Sequence, residues 1–88
     1  PKYAPAYMNR GVTRAALQKF DLAIEDFTMA IVLDPAYADA YRNRGITYKF
    51  RGNIIGACRD WLKANKLGQK GTSVWLKRHC KRQGKRDS

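Results

Sequence analysis

The chain has 88 residues, of which 44% are hydrophobic and 28% charged, so it fits one small globular domain and is too short for a two-domain enzyme. No apolar run approaches the roughly 20 residues that cross a bilayer, and the sequence predicts neither a membrane span nor a secretory signal. The net charge is +11, and residues 45–88 hold 12 basic and 2 acidic side chains against 6 and 5 in residues 1–44, so the second half should attract anionic partners.

The first 37 residues predict a hairpin of two helices. In the second helix apolar side chains recur every three or four residues, as on the buried face of an amphipathic helix, at Phe20, Ala23, Ile24, Phe27, Ala30 and Ile31. The preceding segment places Tyr7 and Gly11 on one face, and the break between the helices falls at residues 17–19. Asp34 and Pro35 end the hairpin, because proline lacks an amide hydrogen and suits the first turn of a helix.

The same pattern returns 34 residues later, since residues 1–37 and 35–71 are identical at thirteen aligned positions. A fixed period of this length is typical of stacked helical hairpins. In the second hairpin we expect Gly52 to end the first helix in the left-handed conformation and Asn53 to cap the next helix. Small residues that allow close helix packing recur in both units, as Gly11, Ala23 and Ala30 and then as Gly45, Ala57 and Ala64. Phe27 and Trp61 are expected to fill the space between the helices.

Residues 72–82 predict one further helix that covers the end of the second hairpin. Thr72 or Ser73 is expected to cap it, and Val74, Trp75 and Leu76 are expected to face inward. The outer surface of this helix and the residues that follow it are rich in Lys and Arg.

These features resemble the tetratricopeptide repeat, a 34-residue helix-turn-helix unit with aromatic residues, Gly, Ala and Pro at set offsets. The matching residues are Tyr7, Gly11, Ala23, Phe27, Ala30 and Pro35 in the first unit and Tyr41, Gly45, Tyr48, Gly52, Ala57, Trp61 and Ala64 in the second. The resemblance implies an all-α protein whose antiparallel helix-turn-helix repeats stack as an α-solenoid of about five helices. Its parts would be repeats at 4–37 and 38–71, a capping helix at 72–83 and a basic tail at 84–88.

Four positions depart from the usual pattern of this family. Arg10 and Arg44 stand where leucine is usual, Arg14 where tyrosine is usual, and Gln18 where glycine is usual. Pro1 aligns with Pro35, the closing position of a repeat, so the chain would be a piece of a longer array whose amino-terminal face is left uncovered. We therefore expect that face to be a candidate for self-association.

The resemblance also implies a non-catalytic module for protein–protein interaction, with a concave face lined by the first helix of each hairpin. It places nine residues in a groove for a peptide or protein segment, preferably an acidic one: Met8, Asn9, Val12, Arg42, Asn43, Ile46, Lys49, Phe50 and Lys77. Asn9 and Asn43 would offer a donor and an acceptor to a peptide backbone once per repeat. Local hydrogen bonding within the helix is the alternative interpretation of both asparagines.

The sequence contains no pattern of residues that predicts catalysis, a metal or another cofactor. His79 and Cys80 are adjacent, so on a helix they point roughly 100° apart and make a poor pair of ligands. We interpret Cys58 and Cys80 as thiols, with Cys58 packed as a small buried hydrophobe. Asp21, Glu25 and Asp26 are interpreted as residues that stabilise a helix start.

Two other classes of function remain open. The basic carboxy-terminal half would bind nucleic acid or an acidic membrane surface through its charge, although basic runs at chain ends are more often simply solvated. A structural repeat that self-associates is the third alternative. For the compartment, the sequence offers little, and the cytoplasm is favoured.

Overall fold

The computed structural model describes residues 3–80, which form helices joined by short turns. The helices are α1 (Ala4–Ala16), α2 (Phe20–Leu33), α3 (Ala38–Arg51), α4 (Ile54–Lys66) and the short α5 (Thr72–Trp75), which continues as a π-helical turn at Leu76–Cys80. We call Thr72–Cys80 the capping segment. The last residues of the predicted terminal helix and the predicted basic tail at 84–88 lie outside the described residues. Within residues 3–80 no helix is long and apolar enough to cross a membrane.

Consecutive helices pack against each other, α1 on α2, α2 on α3 and α3 on α4, and the capping segment packs on α4. The prediction of an all-α solenoid of helical hairpins is therefore confirmed. The core lies along the helix interfaces and consists of small residues around two large rings. Four alanines are fully buried, at Ala23, Ala30, Ala57 and Ala64, and the rings of Phe27 and Trp61 are 1% exposed.

Two glycines at equivalent positions allow these rings to approach the first helix of each hairpin. A Cβ atom added to Gly11 would lie 2.6 Å from Cε1 of Phe27, and one added to Gly45 would lie 2.6 Å from Cδ1 and Nε1 of Trp61. No side chain fits at that distance, so the ring occupies the space that a methyl group would need. The packing role that the sequence predicted for the small residues is confirmed at these two positions.

The turns inside the two hairpins have the same left-handed backbone but different residues. The φ angle is +63° at Gln18 and +95° at Gly52, which stand at equivalent positions of the repeat. Gly52 ends α3 as predicted. Asn53 caps α4 as predicted, because its Oδ1 accepts a hydrogen bond from the backbone N–H of Gly56 at 2.9 Å.

The capping segment differs from its prediction in two respects. Thr72 and Ser73 do not cap the helix, since their hydroxyls donate to the carbonyl oxygens of Gln69 and Lys70 in the preceding turn. Val74 was expected to face inward, but it is 56% exposed. The physical reason is that α5 has a single regular turn, too short for three consecutive residues to share its inner face.

A disulfide joins Cys58 of α4 to Cys80 at the end of the capping segment, with 5.7 Å between the two Cα atoms. The interpretation of both cysteines as thiols was wrong. The two residues are 22 positions apart in sequence, and only the return of the capping segment onto α4 brings them within bonding distance. The expected burial of Cys58 is found, since it is 6% exposed.

Candidate functional site

An open groove lies where α3, α4 and the capping segment meet. Its cavity volume is about 200 Å³, and it is lined by Ile46, Lys49 and Phe50 of α3, Trp61 of α4, and Trp75 and His79 of the capping segment. We call this the aromatic groove. Its aromatic rings are held together, because the centroid of Trp61 lies 5.3 Å from that of Trp75 and 5.8 Å from that of His79.

Three of the nine residues predicted for the concave face, Ile46, Lys49 and Phe50, line the aromatic groove together. Phe50 is 65% exposed, and the ammonium nitrogen of Lys49 lies 5.4 Å from the centroid of its ring. A groove that presents aromatic surface beside a free cation can take an apolar side chain and an anionic group at once.

The first-repeat residues of the predicted site lie apart from the aromatic groove. Asn9 and Val12 are exposed on α1, and Met8 is partly buried against the core. The amide of Asn43 donates to the sulfur of Met8 at 3.3 Å, so these two predicted residues are in contact across α1 and α3. Asn9 and Asn43 are thus not equivalent in their surroundings, although they are equivalent in the repeat.

The two remaining predicted residues are cationic. Lys77 is exposed in the π-helical turn. Arg42 is partly buried on α3, and its Nε is buried without a hydrogen-bond partner among residues 3–80. Neither residue lines the aromatic groove.

Sequence reasoning missed a stacked pair of rings that extends the apolar surface across the two repeats. Phe20 at the start of α2 and Phe50 near the end of α3 have centroids 6.1 Å apart and planes inclined by 12°. Phe20 had been assigned to the apolar face of α2. The signal available in the sequence was weak, because the two residues lie in different repeats and do not occupy equivalent positions.

A second feature that the sequence analysis missed is an ion pair inside each hairpin, from the first helix to the second. Arg10 donates to Asp26 through Nε at 2.9 Å and Nη2 at 2.8 Å, and Arg44 donates to Asp60 through the same two atoms at 2.8 Å each. Both aspartates are buried, at 2% and 3% exposure. Asp26 therefore does not serve a helix start, as had been expected, but anchors an arginine from the middle of α2.

These pairs explain the arginines that depart from the family pattern, and the sequence contained the signal. Arginine and aspartate are separated by 16 residues in both repeats, and both members recur after 34. Burial alone would lower the pKa of Arg44, but the hydrogen bonds and charge of Asp60 outweigh it, so this pKa is raised above its usual value. The pKa of Arg10 is raised by its hydrogen bond to Asp26 in the same way.

The two pairs differ in how many arginines serve the carboxylate. Arg14 reaches Asp26 as well, with Nη1 at 3.2 Å from Oδ2. Tyr48 occupies the equivalent place in the second repeat, so Asp60 depends on Arg44 alone among the described arginines. Arg44 also donates from Nη1 to the hydroxyl of Thr28 at 3.1 Å, which links the second repeat to α2 of the first.

No group of three or more His, Cys, Asp or Glu side chains within residues 3–80 is placed to hold a metal ion. Both cysteines are used by the disulfide, and the ring of His79 packs against Trp61. The geometry of the described residues therefore favours binding through surface complementarity.

Helical hairpins in a 34-residue period, packed through a glycine and a large ring in each unit, define a repeat solenoid. Residues 4–37 match the family model described as tetratricopeptide repeat. The chain is a tetratricopeptide repeat protein, as the sequence pattern predicted. A search of curated proteins found no match. Tetratricopeptide repeats are in general modules for protein–protein interaction, and the family is typically non-enzymatic.

Proposed function

We propose that this chain binds a segment of a partner protein along α1 and α3, with an apolar side chain of the partner seated in the aromatic groove. The single observation that supports this most strongly is the cluster of Ile46, Lys49 and Phe50 at one cavity. The nine residues of the predicted concave face, Met8, Asn9, Val12, Arg42, Asn43, Ile46, Lys49, Phe50 and Lys77, would all contribute to the wider contact surface.

The charge of the surrounding surface favours an acidic segment. Residues 45–80 contain eight Lys and Arg side chains and one acid, Asp60. That acid is buried and already paired with Arg44, so it does not offset the cations of the surface. Lys49 stands at the groove itself, where it can meet a carboxylate next to the apolar side chain.

The asparagines would add contacts to the backbone of the bound segment. Asn9 is exposed, and its side chain is free to turn toward a ligand. Asn43 uses one N–H toward Met8, but a side-chain amide offers a second N–H and an acceptor oxygen. We expect Asn9 to contribute more to binding than Asn43, because part of the hydrogen-bonding capacity of Asn43 is already used.

The test is an array of short acidic peptides that each carry one Phe or Leu, with matched arrays in which the acids are replaced by Lys or the apolar residue by Ser. We expect binding to the acidic apolar peptides alone. Phe50→Ala should weaken binding by roughly tenfold, equivalent to about 1.4 kcal/mol. The matched control is Ile55→Ala, because Ile55 is 60% exposed on α4 but does not line the aromatic groove. Equal effects of the two substitutions would contradict the proposal.

Ionic strength separates this function from anion binding by the basic half of the chain. Binding to an apolar groove should persist at moderate salt, whereas binding to phosphates falls steeply as counterion release is suppressed. A nucleic acid or an acidic vesicle that binds more tightly than any peptide, with a steep salt dependence, would favour the alternative function. Sedimentation at several protein concentrations tests the proposed self-association separately.

A further inference from the structure

The capping segment forms part of the aromatic groove but is weakly anchored by burial. Thr72 is its only buried residue, and the π-helical turn Leu76–Cys80 has none, whereas α4 has five. The π-helical turn is also a rare hydrogen-bonding arrangement that is not formed in longer runs. Elements with few buried contacts open at a lower free energy than the core helices of the same protein.

Two kinds of contact attach the far end of the capping segment to α4. The first is the packing of Trp75 and His79 against Trp61. The second is the Cys58–Cys80 disulfide, which starts at a buried residue of α4 and ends at the last residue of the segment. Because the chain itself joins α4 to the start of the segment, the disulfide tethers the segment at both ends.

We propose that the Cys58–Cys80 disulfide is a redox control of the aromatic groove. In the oxidised chain it holds Trp75 and His79 on Trp61, so the groove has all of its walls. Reduction by a dithiol releases the far end of the capping segment, and the groove then exists only in the fraction of molecules in which the segment is docked. This inference rests on the proposed function, since it concerns the regulation of the same site.

The reduction is a thiol–disulfide exchange with balanced electrons. One thiolate of the dithiol attacks Sγ of Cys80, which belongs to the more exposed of the two residues, and Cys58 leaves as a thiolate and takes up a proton. The second thiol of the reductant then attacks the mixed disulfide. It releases Cys80 as a thiol and leaves the reductant oxidised to its own disulfide, so two electrons and two protons pass to the protein.

This exchange gives the compartment control over the groove. Disulfides persist in oxidising surroundings and are reduced by the thiol systems of the cytosol. A partner would therefore meet a complete groove in an oxidising compartment and a partly opened one in a reducing compartment. The apparent affinity falls in proportion to the population of the docked form, so a segment docked about one tenth of the time weakens binding about tenfold.

The tryptophans allow a direct test, because both tryptophans of the chain lie at this junction. The full chain is compared in three forms: oxidised, reduced with a dithiol, and the double variant Cys58→Ser/Cys80→Ser. We measure tryptophan emission, hydrogen exchange of the backbone amides in residues 72–80, far-UV circular dichroism, and affinity for the acidic peptides described above. The double variant with and without the dithiol is the matched control for the reductant itself.

We expect the reduced chain and the double variant to show red-shifted emission, faster exchange in residues 72–80 and affinity about tenfold weaker, while α1–α4 remain helical. The double variant should not respond to the dithiol. Unchanged emission and exchange on reduction would overturn the inference, and so would a released segment with unchanged affinity or a loss of helix throughout the chain. If the oxidised chain binds none of the peptides, the proposed function fails, while release of the segment is still decided by emission and exchange.

Discussion

Removal of Arg44 should destabilise the protein far more than removal of Arg10, although the two arginines are equivalent in the repeat. In the variant Arg44→Leu, Asp60 loses both of its hydrogen bonds from Arg44, each 2.8 Å long, while it remains 3% exposed. Leucine keeps an apolar side chain at the position, so the main loss is electrostatic. A carboxylate left buried without its partner is costly, because neither water nor another described arginine replaces the lost bonds.

The magnitude follows from two independent estimates. Each hydrogen bond to a charged group contributes about 1.5 to 3 kcal/mol, so the loss of two corresponds to about 3 to 6 kcal/mol. Breaking a buried ion pair by removing one partner costs roughly 3 to 5 kcal/mol. A chain of this length is expected to have a free energy of unfolding of roughly 4 to 13 kcal/mol, so Arg44→Leu should remove a large part of it.

In Arg10→Leu the carboxylate of Asp26 keeps the contact with Arg14 at 3.2 Å, so this variant should lose clearly less stability. A third variant, Arg44→Leu/Asp60→Asn, replaces the stranded carboxylate by a neutral amide of nearly the same shape and should regain part of the loss. Urea unfolding followed by tryptophan emission measures all three, with the slope against urea held constant as the check on two-state behaviour. Equal losses in the two single variants, or no recovery in the double variant, would refute this account of the ion pairs.

Three further predictions concern the backbone, the packing and the disulfide. Gln18→Gly should stabilise the protein by about 1 kcal/mol, because Gln18 has a left-handed backbone that side chains disfavour, while Gly52→Ala should destabilise it by a similar amount; thermal melting of both variants measures the opposite signs. Gly45→Ala should cost about 1 to 3 kcal/mol by overpacking, since its new methyl group would lie 2.6 Å from an indole ring; an unchanged urea midpoint would contradict this. Loss of the Cys58–Cys80 disulfide should lower the free energy of unfolding by roughly 3 kcal/mol, as expected for a loop of this size, which urea titration of the oxidised and reduced chains checks.

Local patterns in the sequence determined the helices, their pairing into hairpins and the turn residues. The apolar spacing of three and four residues and the break at residues 17–19 predicted α1 and α2, which end and begin on either side of that break. Gly52 and Asn53 were predicted correctly because their effects act on neighbouring backbone atoms, so they do not depend on the rest of the fold. The period of 34 residues also predicted that Gly11 and Gly45 pack in the same way.

The short capping segment was predicted less well, because a single helical turn carries too little periodicity to show which side chains face inward. Val74 was assigned to the inner face and is exposed, and Thr72 and Ser73 bond to preceding carbonyl oxygens instead of capping the helix. The tertiary contact with Trp61 of α4 orients the segment instead, and that contact is outside the reach of a local pattern.

The sequence by itself therefore determined the repeat, the helices and the candidate concave face of this protein, since these follow from the spacing of residues along one chain. The tertiary structure alone decided the Cys58–Cys80 disulfide, the stacking of Phe20 on Phe50 and the assembly of the aromatic groove. Each of these joins side chains from different helices, and their distance depends on how the helices are placed after packing, which no spacing within a single helix specifies.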